Sequence, residues 1–464
     1  MEIMVKRMRL LIAGRLFFGL GLALWALGAG PSPARAAGMS LIRDAEIENT
    51  IAMIATPLLR AASIGDRAIT FRLINDDTIN AFATTEMRVF VYTGLFLKTE
   101  GPDELKGVIA HEMGHLAGGH LLRMKDEMAN ASMTALVGML AGAAAGIASG
   151  RGDVGSAVMM GTNQAAMRGF LTFSRTQESS ADSFAMRMLD ATGQSAAGML
   201  KFFRKLGDQE ALITASQDPY VRTHPLTRDR ITAVADHVAH SRFSDVPPSP
   251  AEVLAYQRAK AKLMAFLKST GATLAAYPAT DRSVAARYAR AIAYYRAGDL
   301  GRALPLIDGL IAEDPNDPYF EELRGQMLFE NQRLREALGS YTKAARLAPT
   351  EPLILVSLAH VQVELGDRPL LENALTNLNA ALGLDPTNSF AWRQMANASG
   401  KLGDEAMAAY YLAEMALSQG DPREALAHAK RAEGRIPKGS PQGLRLQDLI
   451  AEAERQKKRQ EDRD

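Results

Sequence analysis

Residues 108–120 read VIAHEMGHLAGGH, which sets His111, His115 and His120 within ten positions around one carboxylate, Glu112. On a helix, residues four apart share a face, so His111 and His115 can bring two imidazoles to one ion. Glu112 then projects beside them, toward the water that such an ion activates. The preceding DELKGVIA is helix-forming, with acids at its start and apolar residues behind the motif.

A third ligand has two candidate sources. The longer H-E-x-x-H-x-x-G-x-x-H pattern finds its glycine at Gly118, but its last histidine falls at 121, where Leu121 stands. If the helix continues, nine steps of about 100° carry His120 to the opposite face. Ligation by His120 therefore needs a sharp turn at Gly118-Gly119, and otherwise it is a packing or surface histidine. The stretch FSRTQESSADSFAMRML, residues 173–189, places Glu178 and Asp182 four apart on a second helix. Glu178 would complete a His-His-Glu set, and Asp182 would accept a hydrogen bond from the far ring nitrogen of a ligating histidine. A solvated charged face is the plainer alternative for that pair.

Working outward, 464 residues are too many for one ordinary core, so two or more domains are expected. The chain is 47% hydrophobic and 23% charged, a globular balance. It has no cysteine, which excludes disulfides, cysteine-ligated zinc, a cysteine nucleophile and a lipid-bearing lipoprotein cysteine. Any metal must therefore use His, Asp or Glu. Residues 1–36 read as a cleaved secretory signal: Lys6, Arg7 and Arg9, the 15 residues LFFGLGLALWALGAG, then Ala34-Arg35-Ala36 as an A-x-A site. That apolar stretch is shorter than the roughly 20 residues that span a bilayer. Its removal shifts the net charge from +1 to about −3, which gives no support to nucleic-acid binding. Export without cysteines suggests a bacterial periplasm.

Prolines 247, 248 and 250 in SDVPPSP (244–250) divide the chain. Mixed α/β sequence precedes them, including an alternating run through Val89 and Val91 that suits a half-buried strand. Nearly everything after them reads as helix. There Ala303, Ala337, Ala374 and Ala425 each precede a proline (315, 349, 386, 437) by 12 positions. The steps between units are 34, 37 and 51 residues, the last being one period plus about one helix. Thirty-four is the tetratricopeptide (TPR) period. Each unit needs a small residue where two helices press together and a proline where the second ends, with turns at Gly298-Asp299, Gly366-Asp367, Gly403-Asp404 and Gly420-Asp421. The expected organisation is a signal at 1–36, a metalloprotease domain at 37–245, connecting helices at 251–283, a TPR-like helical repeat domain at 284–452 and a charged tail at 453–464.

One further stretch, SMTALVGMLAGAAAGIASGRGDVGSA (132–157), spaces Gly138, Gly142 and Gly146 four apart, a pattern that permits close helix packing and occurs in membrane helices. Its apolar part is short and weakly hydrophobic for a spanning helix. We read it as a flap or surface-seeking helix near the active site, with peripheral membrane contact open.

HEMGH, ESSAD, the upstream NAFATTEMRVFVYTGLF, the later THPLTRDR (223–230), the signal-like start and the trailing TPR units together resemble the BepA (YfgC) type of periplasmic metalloproteases, relatives of HtpX and the Oma peptidases. The resemblance spans nearly the whole chain after residue 36. It implies an α/β, mainly α, gluzincin-like metalloprotease domain followed by an all-α TPR solenoid. By that resemblance His111, His115 and Glu178 bind one Zn2+ and Glu112 is the general base. It also makes His224 a fourth ligand that holds the resting enzyme inactive, against the plainer reading of a loop-packing histidine. One of Arg228 and Arg230 is expected to approach the active site and support the transition state. The implied function is a periplasmic zinc endopeptidase that degrades stalled outer-membrane proteins and assists their assembly, with the TPR units docking clients or the assembly machinery. Thr85-Glu86-Met87 departs from the Pro-Gly-Gly that relatives often carry, so a different turn is expected there. The rivals are a TPR scaffold or chaperone with a silent zinc site and a membrane-anchored HtpX-like protease. Glu112 discriminates against the first, because a structural zinc site needs no carboxylate beside the ion.

Overall fold

The computed structural model describes residues 40–65, 68–149, 152–207 and 219–462. The expected signal segment, residues 1–36, lies outside them. The first part of the described chain builds a small sheet from β1 (Leu41–Ile42), β2 (Thr70–Ile74), β3 (Ala81–Thr84) and β4 (Arg88–Tyr92), in the order β1-β2-β4-β3. β2 and β4 are parallel, and the two outer strands pair antiparallel to them. Helix α1 (Ala45–Ala61), capped by Asp44, supplies the β2 side of the core with Ile47, Ile51, Ile54 and Leu58.

β4 differs from the half-buried strand expected of it. Val89, Phe90 and Val91 are all buried, because Phe90, which faces away from the main core, is covered by the ring of Phe82 stacked on it at 5.1 Å. The β3-β4 turn, where Thr85-Glu86-Met87 stands, places Met87 at φ 57°, the left-handed conformation that a glycine adopts without a Cβ penalty.

After the short α2 (Thr93–Lys98) comes α3 (Pro102–Ala117), with Pro102 in its first turn and Asp103 and Glu104 near its N-terminal dipole. The chain then leaves the core as two long helices, α4 (His120–Ser149) and α5 (Gly152–Ala191). The C-terminal part of α5 returns against α3, where the two approach so closely that a Cβ on Gly114 would stand 2.8 Å from the backbone of Ala181. Helices α6 (Ala197–Gly207), α7 (Pro219–Thr223) and α8 (Arg228–His240) complete the layer.

The prolines at 247–250 turn the chain into α9 (Pro250–Leu267), which a Ser249–Glu252 capping box starts. This helix does more than connect. Tyr256, Ala259 and Leu263 belong to the same apolar cluster as the protease helices, while Ala261 and Ala265 belong to the cluster of the first repeat. Beyond α10 (Thr270–Ala276) the chain is a stack of antiparallel helices: α11 (Val284–Arg296), α12 (Leu300–Glu313), α13 (Pro318–Glu330), α14 (Leu334–Leu347), α15 (Pro352–Leu365), α16 (Arg368–Leu384), α17 (Ser389–Lys401), α18 (Glu405–Ser418), α19 (Pro422–Ala432) and α20 (Pro441–Glu461).

The repeat spacing has a structural counterpart. Ala303, Ala337, Ala374 and Ala425 are fully buried in α12, α14, α16 and α19, where a larger side chain would force the helices apart. The step of 37 arises because α16 is 17 residues long where α12 and α14 are 14, and the step of 51 because α17 and α18 both stand between α16 and α19. In the turn before α12, Gly298 adopts φ 77° and Asp299 then caps the helix by accepting from the Arg302 amide. α20 runs unbroken across position 453, with Ala453 buried, so the charged tail is the end of a packed helix as far as Glu461.

Candidate metal centre

His111 and His115 lie on α3 and Glu178 and Asp182 on α5, and the close contact at Gly114 sets one pair over the other. His224 follows α7. His111, His115, Glu178 and His224 are buried and offer four ligand atoms within 4.8 Å of one another. His111 Nε2 is 3.0 Å from His115 Nε2, and each faces a Glu178 oxygen, at 3.3 and 3.4 Å. His224 Nδ1 is 3.4 Å from His111 Nε2 and 3.3 Å from Glu178. Three imidazole nitrogens and a carboxylate converging this closely repel one another unless a cation lies among them, and two to three nitrogens with one carboxylate oxygen form a donor set that suits zinc.

Behind the donors, Asp182 Oδ1 accepts a hydrogen bond from His111 Nδ1 at 2.8 Å. A carboxylate can only accept, so Nδ1 carries a proton, and an ion bound in the cluster would take the Nε2 lone pair in place of a second proton. Arg230 holds Asp182 with two donors, Nε at 2.6 Å and Nη2 at 2.9 Å, reaches Glu178 at 3.0 Å, and donates to the carbonyl of Pro225, next to His224. Burial opposes ionisation of Asp182, but Arg230 and His111 outweigh it and hold its pKa below the usual range. For His111 burial is likewise outweighed by Asp182 and Glu178, and its pKa is pushed up to about 9. Burial and the neighbouring His111 charge instead lower His115 to about 2. The paired carboxylates thus favour one positive charge among the imidazoles, while burial and that first charge resist a second.

Glu112 is buried on the same helix face, and burial raises its pKa. His224 Nε2 stands 3.4 Å from one of its oxygens but off hydrogen-bond geometry, and neither oxygen has a well-formed hydrogen bond, the Ala83 backbone coming near enough only to temper the rise. An unpartnered buried carboxylate is expensive and marks a place where another polar species belongs.

His120 lies outside the donor cluster, buried and packed against His115. The helix does break at Gly118-Gly119, with Gly119 at φ 63°, but the turn folds the His120 ring back over Gly118. Its Nδ1 then lies 3.1 Å from His115 Nδ1, on the side of that ring away from the cluster. Arg228 and Arg230 separate: Arg228 is exposed at the start of α8, and Arg230 is buried behind the donors. Tyr220 was not picked out in the sequence. It is fully buried with an unpartnered hydroxyl, its ring 4.7 Å from that of His224. Its only signal is a position four residues before His224.

A mainly helical α/β domain with a His-x-x-x-His helix crossed by a Glu-x-x-x-Asp helix, followed by a TPR solenoid, defines a metalloprotease with an appended interaction array. Residues 42–238 match peptidase family M48, and residues 256–318 and 288–352 match a tetratricopeptide repeat family. The chain is 26% identical over 429 residues to the beta-barrel assembly-enhancing protease of Yersinia pestis, covering 90% of this chain and 86% of that one. It is 26% identical to the protein of the same name from Escherichia coli K12, covering 87% and 82%. It is 30% identical over 199 residues to protease HtpX of Aliivibrio fischeri, covering 39% of this chain and 68% of that one. A crystal structure of MamA aligns with 37% of this chain and 96% of that one, at 14% identity and a TM-score of 0.28. The chain belongs to peptidase family M48.

Proposed function

We propose that this protein is a periplasmic zinc endopeptidase that removes misfolded or stalled outer-membrane proteins and assists their assembly, its TPR array engaging clients or assembly machinery. The observation that carries the catalytic reading is the orphaned Glu112 carboxylate beside a four-residue donor cluster. His111, His115 and Glu178 would hold the ion, with His224 as a resting fourth ligand. Zinc, when bound, supplies Lewis acidity, bringing the pKa of water to about 7 and polarising a carbonyl. Glu112, its pKa raised by burial, takes the proton of the attacking water and returns it to the leaving amine. Asp182, clamped by Arg230, keeps the His111 ring oriented through the cycle. β3, the sheet edge beside α3, can pair with an extended substrate through backbone hydrogen bonds, which gives loose side-chain specificity.

The client class rests on the names of the relatives from Yersinia and Escherichia, and the periplasm on the signal-like residues 1–36.

The reading is tested by contrasting two isosteric changes. Glu112→Gln should lower casein cleavage by at least about 100-fold and keep one equivalent of zinc, whereas Glu178→Gln should lose zinc. Loss of zinc from Glu112→Gln, by elemental analysis, would overturn the base assignment. Retention of zinc and activity in Glu178→Gln, with both lost in His120→Ala, would move the third ligand to His120.

A further inference from the structure

Two helices leave the metal centre side by side, and most of their outward surface is covered by none of the described residues. Along α4, Ala131, Ala135, Gly138, Gly142 and Ala145 face α5 at alternating steps of four and three, and a Cβ on Gly138 would collide with Thr162. The opposite arc carries Met133, Leu136, Val137, Met139 and Leu140, all exposed, the last by 64%. No Asp, Glu, Lys or Arg occurs from 128 to 149. An ordinary surface helix keeps its outward face polar. Residues 120–145 are long and apolar enough to cross a membrane, yet only 11% of the apolar window is buried, so this is not the core helix of a soluble fold. Nor does it lie near the N-terminus, where a leader would.

We propose that this arm docks on a lipid bilayer, with the apolar arc of residues 128–145 in the outer acyl region and α5 at headgroup level. Four observations favour lipid over polypeptide. The arc is convex and about 160° wide, taking 100° per residue from Met139 round to Val137, and it has no groove to seat a chain. Residues 128–167 contain no aromatic side chain, although aromatic anchors dominate protein interfaces. The hydroxyls of Ser132, Thr134 and Thr162 already donate to carbonyls four residues earlier, at 2.8, 2.9 and 2.8 Å, and need no water. At the root, exposed Arg123, Lys125, Arg168 and Arg175 outnumber Asp126 and Glu127, as suits an anionic headgroup layer. Exposed Asn163, Gln164 and Arg168 on α5 dictate a hairpin lying along the surface and oppose one that crosses it. The proposal does not depend on the proteolytic reading, because its primary measurement involves no catalysis.

The test is flotation of the full protein with vesicles of phosphatidylethanolamine and phosphatidylglycerol, comparing wild type with Leu136→Asp/Leu140→Asp. Both positions are exposed, so the variant should keep its circular dichroism spectrum and its casein cleavage. Wild type should float with the vesicles, and the variant should lose at least about tenfold in apparent affinity. Failure of wild type to float, or equal flotation of both, overturns the proposal. So does a lipid-free dimer that the double change dissolves in sedimentation velocity, which would make a second copy the partner. A raised KM for casein without vesicles would assign the arc to polypeptide clients and likewise overturn it.

Discussion

Glu112 and Glu178 are both buried acids, but their surroundings differ in kind. Glu178 is ringed by His111, His115, His224 and Arg230, and against the cost of burial His224 and His111 hold its pKa well below the usual range. At Glu112 burial prevails over the opposing pull of His224 and His111, and its pKa rises. One is therefore suited to permanent charge and the other to moving a proton. His224 stands between them, Nδ1 toward Glu178 and Nε2 toward Glu112. If it acts as a resting fourth ligand worth about 1 kcal/mol, His224→Ala should raise casein cleavage roughly fivefold with zinc content unchanged. A fall in kcat at unchanged zinc would instead make it a donor to the transition state. His111, His115, Glu178 and Asp182 were legible because spacing of four on a helix is a geometric statement, whereas His224 was suggested only by the family resemblance. Arg228 and Arg230 were separable only once Thr227 was known to cap α8, which turns Arg230 inward with Val234. The sequence tied the turn at Gly118-Gly119 to ligation by His120, but the left-handed Gly119 directs the ring to the far side of His115.

Among the helices, the contact between α3 and α5 decides whether those residues meet. Gly114, one of the two unspecified positions within HEMGH, is its closest point, and the atoms opposite belong to backbone that cannot rotate away. Alanine favours a helix over glycine by about 1 kcal/mol, but overpacking costs about 1–3 kcal/mol and should prevail. Gly114→Ala is expected to be less stable in urea and to release zinc to a chelator more readily, since separating the helices draws Glu178 from the histidines. Gly114→Ala with wild-type zinc affinity would mean that the helices can slide without cost. The solenoid helices were readable from alanines and prolines because stacking repeats one local contact. That 132–149 and 152–157 belong to two paired helices, the second of which carries Glu178, was not readable, since small residues at four-residue spacing do not name the helix they face.

Across the whole molecule, protease and solenoid meet through a buried charge cluster. Lys262 of α9 pairs with Asp44 at 2.7 Å and Glu46 at 3.3 Å, Arg258 pairs with Glu46 and Asp317, and the Tyr288 hydroxyl donates to Glu46. Glu322 of α13 lines the cleft beside them with one oxygen unpartnered. Burial raises its pKa to about 8; Lys262 opposes this, and Asp44, Glu46 and Glu351 add to it. The folded protein then holds a proton that the unfolded chain has released, so this contribution to stability is complete below the ordinary glutamate pKa and is lost as pH rises through about 8. Wild type should therefore lose about 3 °C or more in Tm between pH 6 and pH 9 relative to Glu322→Gln, measured by calorimetry at constant ionic strength. Equal pH dependence in the two proteins would refute it. The expected boundary at the prolines was legible as a turn, but the sharing of α9 between two cores was not, because an apolar position does not say which neighbour covers it.

That shared helix bears on how such a protein can have been assembled in evolution. Gene segments joined or trimmed at the prolines would leave the catalytic half without Tyr256, whose hydroxyl contacts Thr99 and the carbonyl of Phe96. A lineage that lost the solenoid would have to keep α9 or replace it with a helix of its own, so the inherited unit extends past the point where the sequence invites a cut.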